Sequence, residues 1–406
     1  MNSGHASRSA QRQDTRLAAT QGTASAGSPV SSGRVLARSD EHRIERLDVS
    51  VYTIPTDAPE ADGTLAWDST SLVVVEPHTR GGIAGLGYTF GDAATGTLVR
   101  DLLSGVVVGR DVRDTTGAWE AMVRSIRNLG RPGICSMAIA AVDIALWDTK
   151  ARCAEQPLFR LLGAVRDAVP VYGSGGFTTY SEQRLVEQLC GWVEQGIPRV
   201  KMKIGTDRGA SWQRDIERIS AVREAIGDDA ELYVDANGAY DRTQARRLGL
   251  RFAQELGVTW FEEPVSSDDL QGLAELREAL PLDITAGEYG YDLGYFENML
   301  QAHAVDVLQA DVGRCAGITE WLRVAAACAA HQTPLSAHCG QSLHAHVACV
   351  PPNLRHIEYF HDHARIDQIM FDGTLAPIDG SLRPAEDRPG LGLTLRRADA
   401  EHHRVA

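Results

Sequence analysis

Between residues 199 and 360 the chain repeats one pattern: a short apolar segment that ends on a polar or charged residue, followed by an amphipathic stretch. The apolar segments are "RVKMKIG", "ELYVDANG", "TWFEEPV", "DITAGE", "DVLQADVG", "PLSAHCG" and "HIEYF", and "PVYGSGG" at 170–176 precedes them. Stretches such as "WQRDIERISAVREAIG" and "ITEWLRVAAACAAH" carry helical periodicity between them. Eight strands with helical crossovers predict an α/β fold, a (β/α)8 barrel of the TIM type over residues 166–375. An open, doubly wound parallel sheet is the rival arrangement.

Polar residues stand late in each strand: Lys201 and Lys203, Asp235 and Asn237, Glu262 and Glu263, Glu288, Asp311, His338 and Glu358. Counted from Lys203 to Glu358 they recur at intervals of 20 to 32 residues, the length of one strand-helix unit. In a barrel of this kind the active site is assembled from the C-terminal ends of several strands. Side chains two apart on a strand share a face, so Lys201 pairs with Lys203 and Asp235 with Asn237. Asp235, Glu262 and Glu288, from three successive strands, could not stay ionised together without a cation. An all-oxygen donor set of this size points to Mg²⁺, whereas zinc would call for His or Cys. Taken singly, each carboxylate could instead be a structural ion-pair partner.

Before the repeat, "RIERLDVSVYTIP" and "STSLVVVEPHT" read as strands, and "RGGIAGLGYTFG" as a hairpin loop running into a third. Helical segments then lead to "QPLFRLLGA", so residues 43–165 form an α+β unit. The glycines of 81–91 open no helix and make no dinucleotide fingerprint. Residues 1–42, rich in Ser, Ala, Gly and Arg with few large apolar residues, predict a disordered tail; its Arg-rich, acid-poor composition also resembles a transit peptide. A net charge of −14 argues against nucleic acid and anionic membrane surfaces as partners, and no uninterrupted apolar run is long enough to span a bilayer. The seven cysteines include no CxxC pair and predict buried free thiols.

In order along the chain, the KxK of "VKMKIG", "VDANG", the "EEP" of "WFEEPV", "TAGE", "LQADVGRCAGIT", "PLSAHCG" and "HIEYF" resemble the enolase superfamily, in its mandelate racemase and muconate lactonizing enzyme branch. "ALWDTKARCAEQPLFRLLGA" shares that resemblance, which runs from about 43 to 390. It implies an N-terminal capping domain over the barrel mouth, residues 376–406 returning to the cap, and Mg²⁺ on Asp235, Glu262 and Glu288. It further implies a homo-oligomer and a cytoplasmic location.

The chemistry it implies is removal of a proton alpha to a carboxylate. Acid-base catalysis supplies only about 10²- to 10⁴-fold, so positive charge on the developing enediolate must supply more. Lys203 would be the base, Lys201 would lower its pKa and neutralise the carboxylate, and His338, oriented by Asp311, would serve the other face. Glu358 would hydrogen-bond a substrate carboxylate oxygen as an acid, and Asn237 a substrate hydroxyl. Dehydration of an acid sugar, aldonate or aldarate, to a 2-keto-3-deoxy acid is the leading expectation. Racemisation or epimerisation of a 2-hydroxy acid, cycloisomerisation, Schiff-base chemistry at Lys203 and a catalytically silent binding protein are the alternatives. Arg314 and Tyr172 could touch substrate; "HAH" at 344–346 and "HDH" at 361–363 have chelate-like spacing but a helix or loop context. Segments 55–67 and 81–91 are expected to be cap loops that select the substrate.

Overall fold

The computed structural model describes residues 40–406. The tail expected over 1–42 therefore lies outside the described residues up to 39. Its last three residues are ordered: Asp40–His42 form a 3-10 turn, because Arg43 donates its backbone N–H to the Asp40 carbonyl and its guanidinium to the Asp40 carboxylate.

The first layer is an antiparallel sheet of β1 (Ile44–Ala61), β2 (Ala66–Thr79) and β3 (Gly87–Phe90). Residues 55–61, expected as loop, continue β1, with a register break between Pro55 and Glu60 that bends the strand end. The run Leu72–Val75 is fully buried because both sheet faces are covered. Leu72 and Val74 join the main core shared with the barrel, while Val75 joins a second core with Val99, Leu103, Trp119 and Met122. Helix Ile134–Cys153 is buried around most of its circumference. It runs between this sheet and the barrel, and Asp143 on it accepts from the Thr319 backbone N–H (2.9 Å) and hydroxyl (2.7 Å).

The second unit is a closed barrel. Its strands are β4 (Val169–Gly175), β5 (Arg199–Lys203), β6 (Glu231–Asp235), β7 (Val258–Glu262), β8 (Asp283–Ala286), β9 (Val307–Ala310), β10 (Leu335–Ala337) and β11 (Leu354–Phe360). They lie parallel in chain order, and β11 pairs with β4 through Ile357 opposite Val171, so the open sheet is excluded. The floor is filled by Tyr172, Tyr233, Trp260 and Val307. Tyr172, a candidate for substrate contact, therefore sits in the floor rather than on the cavity wall. Register levels the polar ends: Lys203 stands opposite Asp235, and Asp235 opposite Glu262.

After the barrel, Ser381–Leu382 adds to the lower end of β4, and the chain then crosses to the cap. There Thr53 and Val51 donate to the carbonyls of His403 (2.9 Å) and Ala406 (2.8 Å). All seven cysteines are free, five of them buried. Among the described residues no helix is long and apolar enough to cross a membrane.

Close approach of β3 to helix Ile134–Cys153 sets the cap's position. A Cβ on Gly87 would lie 2.3 Å from the Ala145 backbone nitrogen and 2.5 Å from the Ala141 carbonyl oxygen. Gly87→Ala is expected to destabilise the protein by about 1–3 kcal/mol through overpacking. Gly105→Ala, where an added Cβ meets nothing within 4 Å, serves as the control, and urea denaturation midpoints compare the two.

Candidate active site

The strand ends bring all nine sequence-selected residues to one mouth. Lys201, fully buried, donates to Glu262 Oε1 (2.6 Å) and Oε2 (2.7 Å) and lies 2.8 Å from Glu358 Oε1. Lys203, one turn of the pleat higher, donates to Asp235 Oδ2 (2.5 Å) and Asn237 Oδ1 (3.1 Å). Asp235, Glu262 and Glu288 each place a carboxylate oxygen within 4.8 Å of the others. On the far side His338 Nδ1 lies 2.8 Å from Asp311 Oδ2, and its Nε2 lies 3.2 Å from Glu288 Oε2. Arg314 reaches Glu288 Oε1 at 3.3 Å.

Charge is out of balance here. Six buried carboxylates, Asp235, Glu262, Glu263, Glu288, Asp311 and Glu358, surround three permanent cations, Lys201, Lys203 and Arg314. Burial, then the neighbouring Asp235, pushes Glu262 far above the carboxylate range; burial and Glu288 do the same to Glu263. Burial works in the same direction on Asp235, but Lys203 and Lys201 outweigh it and hold that group ionised. For Lys203 burial is the largest influence and lowers the pKa, as does Lys201, yet the combined attraction of Asp235, Glu288 and Glu262 outweighs them and leaves the ammonium favoured. Asp311 is held low against burial by His338 and Arg314.

A divalent cation fits this donor set. It would offset the excess negative charge; the buried Glu263 Oε1 has no hydrogen-bond partner, and Glu288 Oε2 has only its 3.2 Å contact with His338 Nε2. The three oxygen donors suit a hard ion that keeps open coordination positions.

At Glu358, the residue expected as an acid, burial opposes ionisation, but Lys201 at 2.8 Å and His338 favour the carboxylate form in this metal-free site, and Oε2 accepts the Cys339 backbone N–H at 2.8 Å. Tyr172 lies beneath Lys201, whose Nζ is 5.3 Å from the ring centre. The extra histidines are structural: His344 bridges the Val312 N–H and the Cys339 carbonyl, His346 meets the Leu391 carbonyl, and His363 stacks on Phe90. His361 contacts Asp57 on the cap.

Two residues at the site were given no role from the sequence, although Glu263 was among the strand-end residues noted there. Cys339 follows His338, and its Sγ lies 3.3 Å from Nε2. Nothing in its spacing sets it apart from six other scattered thiols. Glu263 points toward the cluster because its positive φ of 38° breaks the strand's alternation, which its position after Glu262 in the sequence does not reveal.

Above the mouth lies a cavity of about 370 Å³. Lys203, Asn237, Glu288, Asp311, Arg314 and His338 line it from the barrel, and Asp62, Trp67, Ser69, Phe90 and Asp92 from the cap. Both segments expected to select substrate thus contribute to its wall.

Residues 49–163 match the mandelate racemase / muconate lactonizing enzyme N-terminal domain, and residues 184–400 match the enolase C-terminal domain-like family. The chain belongs to the mandelate racemase/muconate lactonizing enzyme family. Among solved members of the family, a mandelate racemase/muconate lactonizing enzyme-like protein from Rubrobacter xylanophilus is 53% identical, with a TM-score of 0.87, over 89% of this chain and 100% of that one. L-talarate/galactarate dehydratase from Salmonella typhimurium LT2, liganded with Mg and L-lyxarohydroxamate, is 30% identical with a TM-score of 0.81, covering 90% of this chain and 93% of that one. A 3,6-anhydro-alpha-L-galactonate cycloisomerase from Streptomyces coelicolor is 33% identical over 87% of this chain and 97% of its own length.

Lys201 is held by two buried carboxylates at once, so its loss strands both. Lys201→Met is expected to cost about 3–5 kcal/mol of stability in the metal-free protein, as for breaking a buried ion pair from one side. Guanidinium denaturation in EDTA reads this; a loss below about 1 kcal/mol would contradict the pairing.

Proposed function

We propose that this chain is a Mg²⁺-dependent lyase that dehydrates an acid sugar to a 2-keto-3-deoxy acid. The observation that carries the reading is the placement of two proton-transfer groups, Lys203 and the His338–Asp311 pair, on the wall of one cavity beside a three-carboxylate cluster. The Mg-liganded acid-sugar dehydratase of similar fold supports it.

Asp235, Glu262 and Glu288 would hold the ion. When bound, Mg²⁺ supplies Lewis-acid stabilisation of the substrate carboxylate oxygens. Lys203 Nζ removes the alpha proton. With Asp235 engaged as a ligand, Lys203 loses its strongest anionic partner while the like charge of Lys201 remains, which favours the free amine needed for this step. Lys201 offsets charge on the substrate carboxylate. His338, fixed through Nδ1 by Asp311, presents Nε2 to the cavity and donates a proton to the departing 3-hydroxyl, so that water leaves and the enol product ketonises. Asn237 orients a substrate hydroxyl. Glu358, as a carboxylate, keeps Lys201 in place and can accept a hydrogen bond only from a protonated substrate carboxyl or a substrate hydroxyl.

Incubation of the Mg²⁺-loaded protein with aldonic and aldaric acids in D₂O, followed by NMR, is expected to show a 2-keto-3-deoxy product. Lys203→Ala and His338→Asn should each lower turnover by about 10²- to 10⁴-fold, the usual contribution of a general acid or base, and EDTA should abolish it. Alpha-deuteration without loss of water would assign a racemase or epimerase instead; activity indifferent to EDTA would overturn the metal-dependent reading.

A further inference from the structure

The two walls of the cavity differ in charge. On the barrel wall Lys203 has Asp235 at 2.5 Å, and Arg314 has Glu288 at 3.3 Å and Asp311 at 3.7 Å, so that Arg314 keeps an acidic neighbour outside the three-carboxylate cluster; His338 Nδ1 lies 2.8 Å from Asp311. The cap wall presents Asp62, Trp67, Ser69, Ser71, Phe90 and Asp92. Its ionisable groups are both acidic, and among the described residues neither Asp62 nor Asp92 forms an ion pair within 4 Å. Nearby His363 adds no positive charge, since burial lowers its pKa to about 3.

Both aspartates are held in place by their own turns. Asp62 Oδ1 accepts the backbone N–H groups of Thr64 (2.5 Å) and Leu65 (2.8 Å), and Asp92 Oδ1 caps a helix through the Ala94 N–H at 3.0 Å. The second oxygen of each carboxylate is therefore a positioned acceptor. A substrate whose carboxylate lies over the three-carboxylate cluster must extend its other end toward this wall. Hydroxyl groups there find carboxylate and serine acceptors. A second carboxylate finds two like charges and no cation, and leaving water without a partner is costly for an ion.

We propose that the site selects a monocarboxylic sugar acid with an uncharged polyhydroxyl tail and rejects the dicarboxylic acid of the same configuration, with Asp62 and Asp92 as the discriminating residues. This rests on the acid-sugar reading above and separates the chain from its talarate/galactarate relative.

Matched pairs that differ only at the terminal carbon, gluconate with glucarate, galactonate with galactarate and mannonate with mannarate, test it by calorimetric titration of the full-length Mg²⁺-loaded protein. In the tightest pair the monoacid is expected to bind at least about tenfold more tightly, or 1.4 kcal/mol. In the Asp62→Asn/Asp92→Asn double variant, which retains both Oδ1 acceptors, the ratio is expected to fall below about threefold. A diacid that binds as tightly as its monoacid, a ratio unchanged in the double variant, or no monoacid binding at millimolar concentration would overturn the proposal. Turnover is scored separately. A preserved binding preference without dehydration of any pair would sink the dehydratase reading and leave this one standing.

Discussion

An excess of buried negative charge at the barrel mouth is the constraint around which the rest of the molecule is arranged. Carboxylates that would repel one another in a low-dielectric site are kept there by cations placed between them. Lys201 is the centre of this arrangement: it meets Glu262 and Glu358, on strands well separated around the barrel, and lies above the aromatic floor of Tyr172, Tyr233 and Trp260. An ammonium shielded from water on every side stays charged only because those partners are fixed, and only a closed barrel fixes them from several directions at once.

Closure of β11 on β4 and the level register of Lys203, Asp235 and Glu262 turn a linear series of strand ends into a ring. The cap then gives the ring a roof. Its position depends on close contact between glycine-bearing β3 and helix Ile134–Cys153, on Asp143 bonded to Thr319 beside the barrel, and on the chain end bonded to β1. The barrel supplies Lys203 and the His338–Asp311 pair, and the cap supplies the opposite wall with Asp62 and Asp92, so the two walls of the cavity belong to different layers.

Much of this was legible in the sequence, for a definite reason. Period-two strands ending in polar residues at strand-helix intervals leave few places for those residues except a common mouth, so Lys201, Lys203, Asp235, Asn237, Glu262, Glu288, Asp311, His338 and Glu358 could be picked out without coordinates. The departures share a cause as well. Tyr172 was read as near a strand end, but it lies deep enough to pack in the floor. Residues 55–61 fall in a segment expected as a cap loop, yet they extend β1 through a register break. Glu263 enters the cluster through a backbone conformation that alternation does not describe, and Cys339 through a neighbour relation with His338 that a scattered cysteine does not advertise.

Sequence alone determined the alternation of strands and helices, the order of polar residues along it and the type of donor gathered there, because each is a local pattern of side-chain chemistry and spacing. Tertiary structure decided that the sheet closes, that Glu358 meets Lys201 at 2.8 Å, and that Asp62 and Asp92 line the same cavity as Lys203 and His338. Those outcomes depend on distances between residues far apart in the chain.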